Sequence, residues 1–490
     1  MCTAAAVKSF KKLPGPRDIP LFGTVWQYSA ILRGRYTFER MNVAKRDNYA
    51  KYGKIYREKI GPFTLVQLFD PVDFAKVFRS EGRCPNRPAI PITVVANKRD
   101  GISLGLGSLN GEEWRSYRMA VQKLLMHPKA ASIYLPNENN VADDFVRLLG
   151  NSRNENNNVD DIHEKLLKYA TEYNGVICFN KRIGCLADQI PADSDANLMA
   201  NATRDVFESV QKTAFAFPLF YFVRTPMYKQ YVRSYTECNR ISTKYIENAW
   251  KEVESDPSLI QDSSIQHNPN LLHSLIATGK LSVEQINVIL LDLFRAGIDS
   301  VAGSMAFFLY NLARHPEEQN KLYTEIQTVT RGRIDVVITD ENIANMPFLK
   351  ACLKESFRLN FPIEGGTTRI LETDLVLSGY SIPKGTIVAM NNQTILQDDA
   401  YFDEPLLFKP ERWLKNTINK TVPKFTMLPF GYGMRMCVGR RFAELAIYLA
   451  TLKILKKYRI EYDRGNVDML NRVFTIPDKP ISIKFIDRQH

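Results

Sequence analysis

Phe430-Gly431-Tyr432-Gly433-Met434-Arg435-Met436-Cys437-Val438-Gly439-Arg440-Arg441 is the stretch on which the reading of this chain turns. It sets one thiol in a tight, glycine-rich loop. A helix-like run follows at once, Phe442-Ala-Glu-Leu-Ala-Ile-Tyr-Leu-Ala-Thr-Leu452. A free cysteine has a pKa of about 8.5, and a helix N-terminus or a nearby arginine lowers it. Arg435 stands two residues before the thiol, and the helix start stands just after it. Gly433 and Gly439 let the backbone come close to a large flat ligand and turn N–H groups toward the sulfur.

A thiolate so placed suits axial ligation of a haem iron, where it pushes electron density toward O–O cleavage. The alternative is a buried structural cysteine. The spacing Phe-x-x-Gly-x-Arg-x-Cys-x-Gly resembles the haem-binding loop of the cytochrome P-450 superfamily. The resemblance implies haem b (iron protoporphyrin IX), with Cys437 as the axial ligand of the iron and Phe430 and Gly433 in the cofactor's cradle. It also implies a fold that is mainly α with a small β-rich lobe.

Composition agrees with a globular chain: 490 residues, 45% hydrophobic and 24% charged. Length alone suggests about three domains. No Pro/Gly/Ser linker and no fixed-period repeat divides the chain, so 13–490 is expected to form a single domain. Residues 150–161 and 256–270 read as surface loops. The 7 cysteines are odd in number and include no C-x-x-C pair, which argues against a disulfide framework and for a reducing compartment. His163-Glu164 lacks the second histidine of a zinc helix, and Gly105 to Gly111 misses the dinucleotide fingerprint by one residue.

The net charge of +12 suggests an acidic partner, a membrane surface or nucleic acid. No long Lys/Arg block supports nucleic acid. No run of about 18 apolar residues offers a bilayer span. Residues 1–17 contain no Asp or Glu and carry Lys8, Lys11, Lys12 and Arg17. Residues 1–12 therefore read as a presequence remnant or a disordered N-terminus.

The longest helical pattern runs from Ser282 to about Arg314. Ser282 with Gln285 makes a capping box, and His315-Pro316 ends it. The run is apolar nearly all round from Val288 to Leu312, so it is predicted to be buried. Asp299 and Ser300 interrupt it, and an acid buried there is costly unless used or paired. Ala296-Gly-Ile-Asp299-Ser300 resembles the superfamily's central helix, where an acid–alcohol pair beside the haem delivers protons for dioxygen activation. Ser300 stands where that family usually has Thr, keeping the hydroxyl and losing the methyl.

Glu355 and Arg358 share one helix face at i and i+3. The pair resembles the family's E-x-x-R motif, with Arg412 of Pro410-Glu-Arg412-Trp413 as third member, and is expected to brace the cysteine loop. Haem carries two propionates that need cationic donors. Trp114-Arg-Ser-Tyr-Arg118 resembles the family's W-x-x-x-R helix, so Trp114 and Arg118, with Arg369 and Arg435, are the expected donors.

The resemblance covers essentially the whole chain and is closest to the mitochondrial-type branch found in arthropods. There, Lys350 and Lys354 on one helix face, with Arg440 and Arg441, resemble the docking surface for a small acidic iron–sulfur ferredoxin, itself served by a reductase. The implied activity is insertion of one oxygen atom into a hydrophobic small molecule, steroid-like or xenobiotic, on the matrix side of the inner mitochondrial membrane. A thiolate-haem isomerase or synthase, a haem carrier or sensor, and a monooxygenase served by a flavoprotein reductase are the alternatives. Expected pocket walls are 101–109, Phe294, Ala296, 363–367 and 474–476. The apolar run 214–223 either roofs the pocket, dips into a membrane surface or packs in the core.

Overall fold

Where the chain alternates, it builds a small sheet, and where it is apolar on a helical period it builds a helical body. The structure is a computed structural model. It describes residues 6–20, 23–29, 33–60, 63–214, 218–260, 270–333, 336–363, 367–414 and 422–489. Strands β1 (Ile55–Ile60), β2 (Phe63–Leu68), β3 (Thr367–Ile370) and β4 (Ile387–Met390) form one sheet in the order β1-β2-β4-β3. The β2–β4 pairing is parallel and the other two are antiparallel. Ile55, Val66, Leu68, Val388 and Met390 are buried and pack with Phe69, Phe74 and Phe78 in an apolar cluster of their own.

A second and larger apolar cluster runs through the helices. Those that matter here are α1 (Gly111–Leu125), α2 (Ile162–Phe179), α3 (Pro226–Ser255), α4 (Val283–Arg314), α5 (Pro347–Leu359) and α6 (Arg440–Lys457). A mainly helical body beside a small β-rich lobe is the expected architecture. Among the described residues no helix is long and apolar enough to cross a membrane.

α4 is the axis of the body. Ser282 caps it, with Gln285 closing the reciprocal box, and it ends at His315 as the sequence predicts. It lies along α2, with α3 beside it. Two glycines set how close its neighbours come. A Cβ on Gly297 would stand 2.2 Å from Asn174 Oδ1 of α2, and one on Gly303 would stand 2.6 Å from the Thr475 carbonyl oxygen. A side chain at either place would push the helix off its packing.

Two loop expectations are revised. Gly150 and Asn151 belong to a helix, Leu135–Asn151, and Asn158–Val159 pairs with Ile483 and Lys484, so 150–161 is only partly a loop. In 256–270, Pro257–Ile260 forms a short 3-10 turn and Asn270 caps the next helix, while 261–269 lie outside the described residues. Of the N-terminal stretch, 1–5 lie outside the described residues. Lys8 N–H donates to the Gly379 carbonyl and Lys8 O accepts from Ser381 N–H, so this part of the stretch is tied down.

Candidate active site

The cysteine loop is shaped by its glycines and held by its neighbours. Gly431 and Gly433 take φ of 70° and 74°, the left-handed region that favours glycine. Cys437 N–H donates to Phe430 O at 2.8 Å and Met436 N–H to Gly433 O at 3.1 Å, which closes the loop on itself. Gly439 is the N-cap of α6. α6 is fixed to α2 by Tyr169 O–H on Ala446 O (3.0 Å) and Tyr173 O–H on Phe442 O (3.1 Å).

The Cys437 residue is exposed, although atoms packed round its sulfur push the thiol up. The backbone N–H of Gly439 and the charges of Arg118 and Arg440 oppose that rise. Arg435 does not act on the sulfur as the sequence reading expected. Its guanidinium turns away to Pro85 O (2.8 Å), Leu109 O (2.9 Å) and Asn110 Oδ1 (2.7 Å), and lies 3.8 Å over the Trp114 ring. Among the described residues, no three His, Cys, Asp or Glu side chains converge on one point, so the protein alone cages no metal there.

Guanidinium groups crowd beside the loop. Burial, with a smaller contribution from the nearby Arg87 charge, brings Arg118 down to about 10 and Arg435 down to about 9. Arg369 and Arg118 add to the depression of Arg435. β3 delivers Arg369, which pairs with Glu81 at 2.5 Å and reaches toward Tyr432 O in the loop. Asp292 faces Arg87. Among the described residues two acids, Glu81 and Asp292, answer these four arginines, and Arg87 Nε is buried without a hydrogen-bond partner. This donor set suits a ligand that carries paired carboxylates. Trp114 and Arg118 are both buried on α1, and Arg118 Nε donates to Gln122 Oε1 at 2.8 Å.

α4 reaches this arginine cluster through Asp292, one turn before Ala296. Ala296 is exposed in the middle of a buried helix, and Asp299 and Ser300 are half-buried beside it. Burial raises Asp299 to about 6, with the Arg472 charge pulling the other way. Ser300 Oγ–H donates to its own helix at Ala296 O, 2.7 Å. Phe294 is not a wall: it is fully buried against Phe179 of α2, 5.2 Å between ring centroids. Of the expected wall 363–367, residues 364–366 lie outside the described residues.

Below the loop lies a buried charge network. Glu355 and Arg358 are both 0% exposed. The Glu355 carboxylate accepts from Arg358 Nε (2.9 Å) and Nη2 (2.9 Å), Arg412 Nε (2.9 Å), Lys409 N–H (2.9 Å) and Trp413 Nε1 (2.8 Å). Arg358 also donates to the carbonyls of Leu396, Pro405 and Leu407. Phe357, between the paired residues, meets Phe430 edge-on at 5.6 Å and so carries the network to the loop.

On the same side, Lys354 is exposed and lies 4.0 Å over the Trp413 ring. Burial lowers its pKa, and the neighbouring Arg440 charge adds to this, which places the two cations together. Lys350 is half-exposed one turn earlier and donates to Ala344 O. Arg440 pairs with Glu444 at 3.1 Å, and Arg441 leans to Met126 O. Sequence reasoning missed Arg87 and Glu81 as parts of these clusters, and it gave Trp413, within the Pro410–Trp413 motif, no role of its own. For Arg87, the local signal was a lone arginine in the stiff stretch Pro85-Asn-Arg87-Pro88.

The cytochrome P-450 family model matches residues 13–485. The chain is 32% identical over 491 residues to the mitochondrial cytochrome P-450 302a1 of Drosophila melanogaster, covering 98% of this chain and 96% of that one. It is 31% identical over 492 residues to the mitochondrial 1,25-dihydroxyvitamin D(3) 24-hydroxylase of Mus musculus, with 100% and 91% covered. With cytochrome P-450 10 of Lymnaea stagnalis it shares 29% over 486 residues, with 99% and 87% covered. The chain belongs to the cytochrome P-450 family, which binds haem iron, and is a monooxygenase of that family.

Replacing Glu355 by Ala leaves Arg358 and Arg412 buried without their acid. Loss of one partner from such a pair costs about 3–5 kcal/mol. The expected outcome is a lower denaturant midpoint and little haem-loaded protein. Normal midpoint and normal haem content in Glu355→Ala would show the network to be dispensable.

Proposed function

We propose that this chain is a haem-thiolate monooxygenase of mitochondrial type, with haem b on Cys437 and electrons delivered by a small acidic ferredoxin and its reductase. The observation that carries this is the juxtaposition at the loop. An exposed thiol under the Gly439 N–H lies beside a surplus of guanidinium groups, one of which, Arg87, faces Asp292 of α4, the helix that carries the acid–alcohol pair.

When bound, the haem supplies dioxygen activation, so that substrate C–H, dioxygen, two electrons and two protons yield the alcohol and water. The chain's own residues do the rest. Cys437 Sγ holds the iron as thiolate, and the Gly439 N–H and Arg118 offset the cost of its charge. Trp114, Arg118, Arg369 and Arg435 hold the propionates, and Phe430 and Gly433 shape the cradle. Asp299, poised by burial near neutrality, takes protons from solvent and passes them inward. Ser300 completes the relay once its O–H leaves Ala296 O. It lacks the methyl group that would fix its rotamer, since Ser has no branch at Cβ.

Electrons arrive on the thiolate side. Lys350, Lys354, Arg440 and Arg441 form the docking face, close to the Glu355 network that supports the loop. Two of the relatives above are named mitochondrial, which supports a place on the matrix side of the inner membrane. Leu219, Tyr221, Phe222 and Val223 are exposed apolar residues of the 214–223 run, of which 215–217 lie outside the described residues. They give the protein a peripheral grip on a lipid surface. The substrate is a hydrophobic small molecule, steroid-like or xenobiotic.

Cys437→Ser tests the central assignment. An alcohol cannot supply thiolate donation, so the red-shifted carbon monoxide band of the reduced protein should vanish. A variant that kept that band would remove Cys437 from the iron.

Asp299→Asn tests the relay. Turnover should fall while substrate-induced spin shifts stay, because a proton route is lost and no wall is. Stability supplies a second readout. Because burial raises Asp299, its protonation favours the folded state, and that contribution is lost as pH rises from the ordinary carboxylate range to about 6. The variant cannot ionise, so its denaturant stability relative to wild type should rise across that window. Unchanged turnover with ferredoxin would sink the relay role.

Lys350→Glu with Lys354→Glu tests the partner. Steering by exposed charge acts mainly on association and fades with salt, over a screening length of about 8 Å at physiological ionic strength. The ferredoxin concentration for half-maximal turnover should rise and its salt dependence flatten, with haem spectra unchanged. Turnover supported only by a microsomal-type flavoprotein reductase would overturn both the docking face and the mitochondrial placement.

A further inference from the structure

The segment 103–110 is held from several sides. On α4, Asp292 Oδ2 accepts the Gly107 N–H at 2.8 Å. A Cβ on Gly105 would lie 2.6 Å from Asp292 Cγ, so the segment closes directly on this carboxylate. On α3, Tyr235 O–H donates to Ser103 O at 3.2 Å. From the loop side, Arg87 Nη2 donates to Leu106 O (3.1 Å) and Gly107 O (2.8 Å), and Arg435 Nη2 to Leu109 O (2.9 Å). Asp292 stands one helical turn before Ala296. The segment therefore bridges the Cys437 loop and the exposed face of α4.

Asp292 has a second claimant. Arg295, one turn on, places Nη2 at 3.6 Å from Asp292 Oδ1, which is beyond hydrogen-bond distance. Its guanidinium lies 4.4 Å over the Tyr235 ring, and its Nη1 is buried without a hydrogen-bond partner among the described residues. A buried charge left this far from its acid gains by closing on it. Gly107 now holds that acid from the other side.

We propose that Asp292 and Arg295 form a two-position latch that sets the opening of segment 103–110 over the substrate site. Closed, Asp292 holds the Gly107 N–H. Open, Arg295 closes on Asp292 and offsets the lost bond, while Tyr235, the ring beneath Arg295, lets go of Ser103. Two discrete pairings of one carboxylate give a wall with two positions instead of a soft one. Asp292 and Arg295 are positioning residues, since neither touches the reacting atoms. The inference rests on the reading of the site as a haem pocket.

The test uses haem-loaded protein and two haem-binding probes, imidazole and the bulky clotrimazole, with association followed by stopped-flow haem absorbance. Asp292→Ala frees the segment, so clotrimazole should associate about tenfold faster, the factor that loss of one charge-assisted hydrogen bond allows. Gly105→Ala, which forces the segment off the carboxylate, should act in the same direction. Arg295→Met removes the open-state partner and should slow clotrimazole. Adding it to Asp292→Ala should change nothing further, which a plain structural role would not produce. Imidazole, small enough to pass a closed wall, should bind at wild-type rates throughout. Amide hydrogen exchange of 103–110 should quicken in Asp292→Ala. Normal imidazole binding with unchanged clotrimazole rates, or faster clotrimazole in Arg295→Met, would overturn the latch alone. Failure of imidazole to shift the wild-type spectrum would overturn the reading of the site beneath it.

Discussion

The Glu355 carboxylate is the joint on which the site depends. It is fully buried and receives two N–H groups of Arg358, one from Arg412, the Lys409 backbone N–H and the Trp413 indole. Buried ion pairs add little net stability over a well-packed apolar core, because both charges must leave water. Their value here is directional. Arg358 spends its remaining donors on the Leu396 carbonyl, at the end of the short helix Asn392–Leu396, and on those of Pro405 and Leu407, which lie in no helix or strand. The network thus fixes irregular backbone against α5, and Phe357 passes that fixed position to Phe430 and the cysteine loop.

A second constraint is charge balance. A thiolate needs nearby positive charge, and a ligand with two carboxylates needs more. Burying arginines is costly and crowding them adds to the cost, as the depressed values of Arg118 and Arg435 show. The fold offsets that cost with backbone carbonyls. Arg435 is held by Pro85 and Leu109, and Arg87 by Leu106 and Gly107. Carbonyls orient a guanidinium without neutralising it, so the charge stays available to a ligand. An acid at each position would have orientated the arginines equally well and left no surplus positive charge.

Much of this was legible in the chain because it is local. The spacing of Cys437 with its glycines, the i,i+3 relation of Glu355 and Arg358, and the capped limits of α4 are all short-range. What stayed hidden depends on long-range contact. Glu81 meets Arg369 across 288 positions, and Asp292 meets Gly107 across 185. No spacing rule links such residues. Arg435 misled because proximity in sequence to the thiol was read as proximity in space, whereas its side chain leaves the loop for the 85–110 region. Phe294 misled because a helix buried on every side gives no periodic sign of which face meets the site, and Phe294 faces α2.

α4 shows how one helix serves opposed demands. Gly297 and Gly303 bring Asn174 and the Thr475 carbonyl hard against it, so that no side chain fits at either place without a shift. Between those contacts it carries Asp299 and Ser300, the polar residues that would otherwise weaken it. A hydroxyl that bonds back to the i−4 carbonyl competes with the helix ladder and tends to bend it. Ser300 does this at Ala296, the one residue of that turn left exposed. Gly297 lies within that turn and Gly303 just beyond it, so close packing contacts flank the polar residues. The polar step in α4 therefore falls where the fold can hold it still, and the same turn presents Asp299 at a carboxyl value of about 6. Burial, the cost that a polar residue imposes on a core helix, is here what tunes the acid.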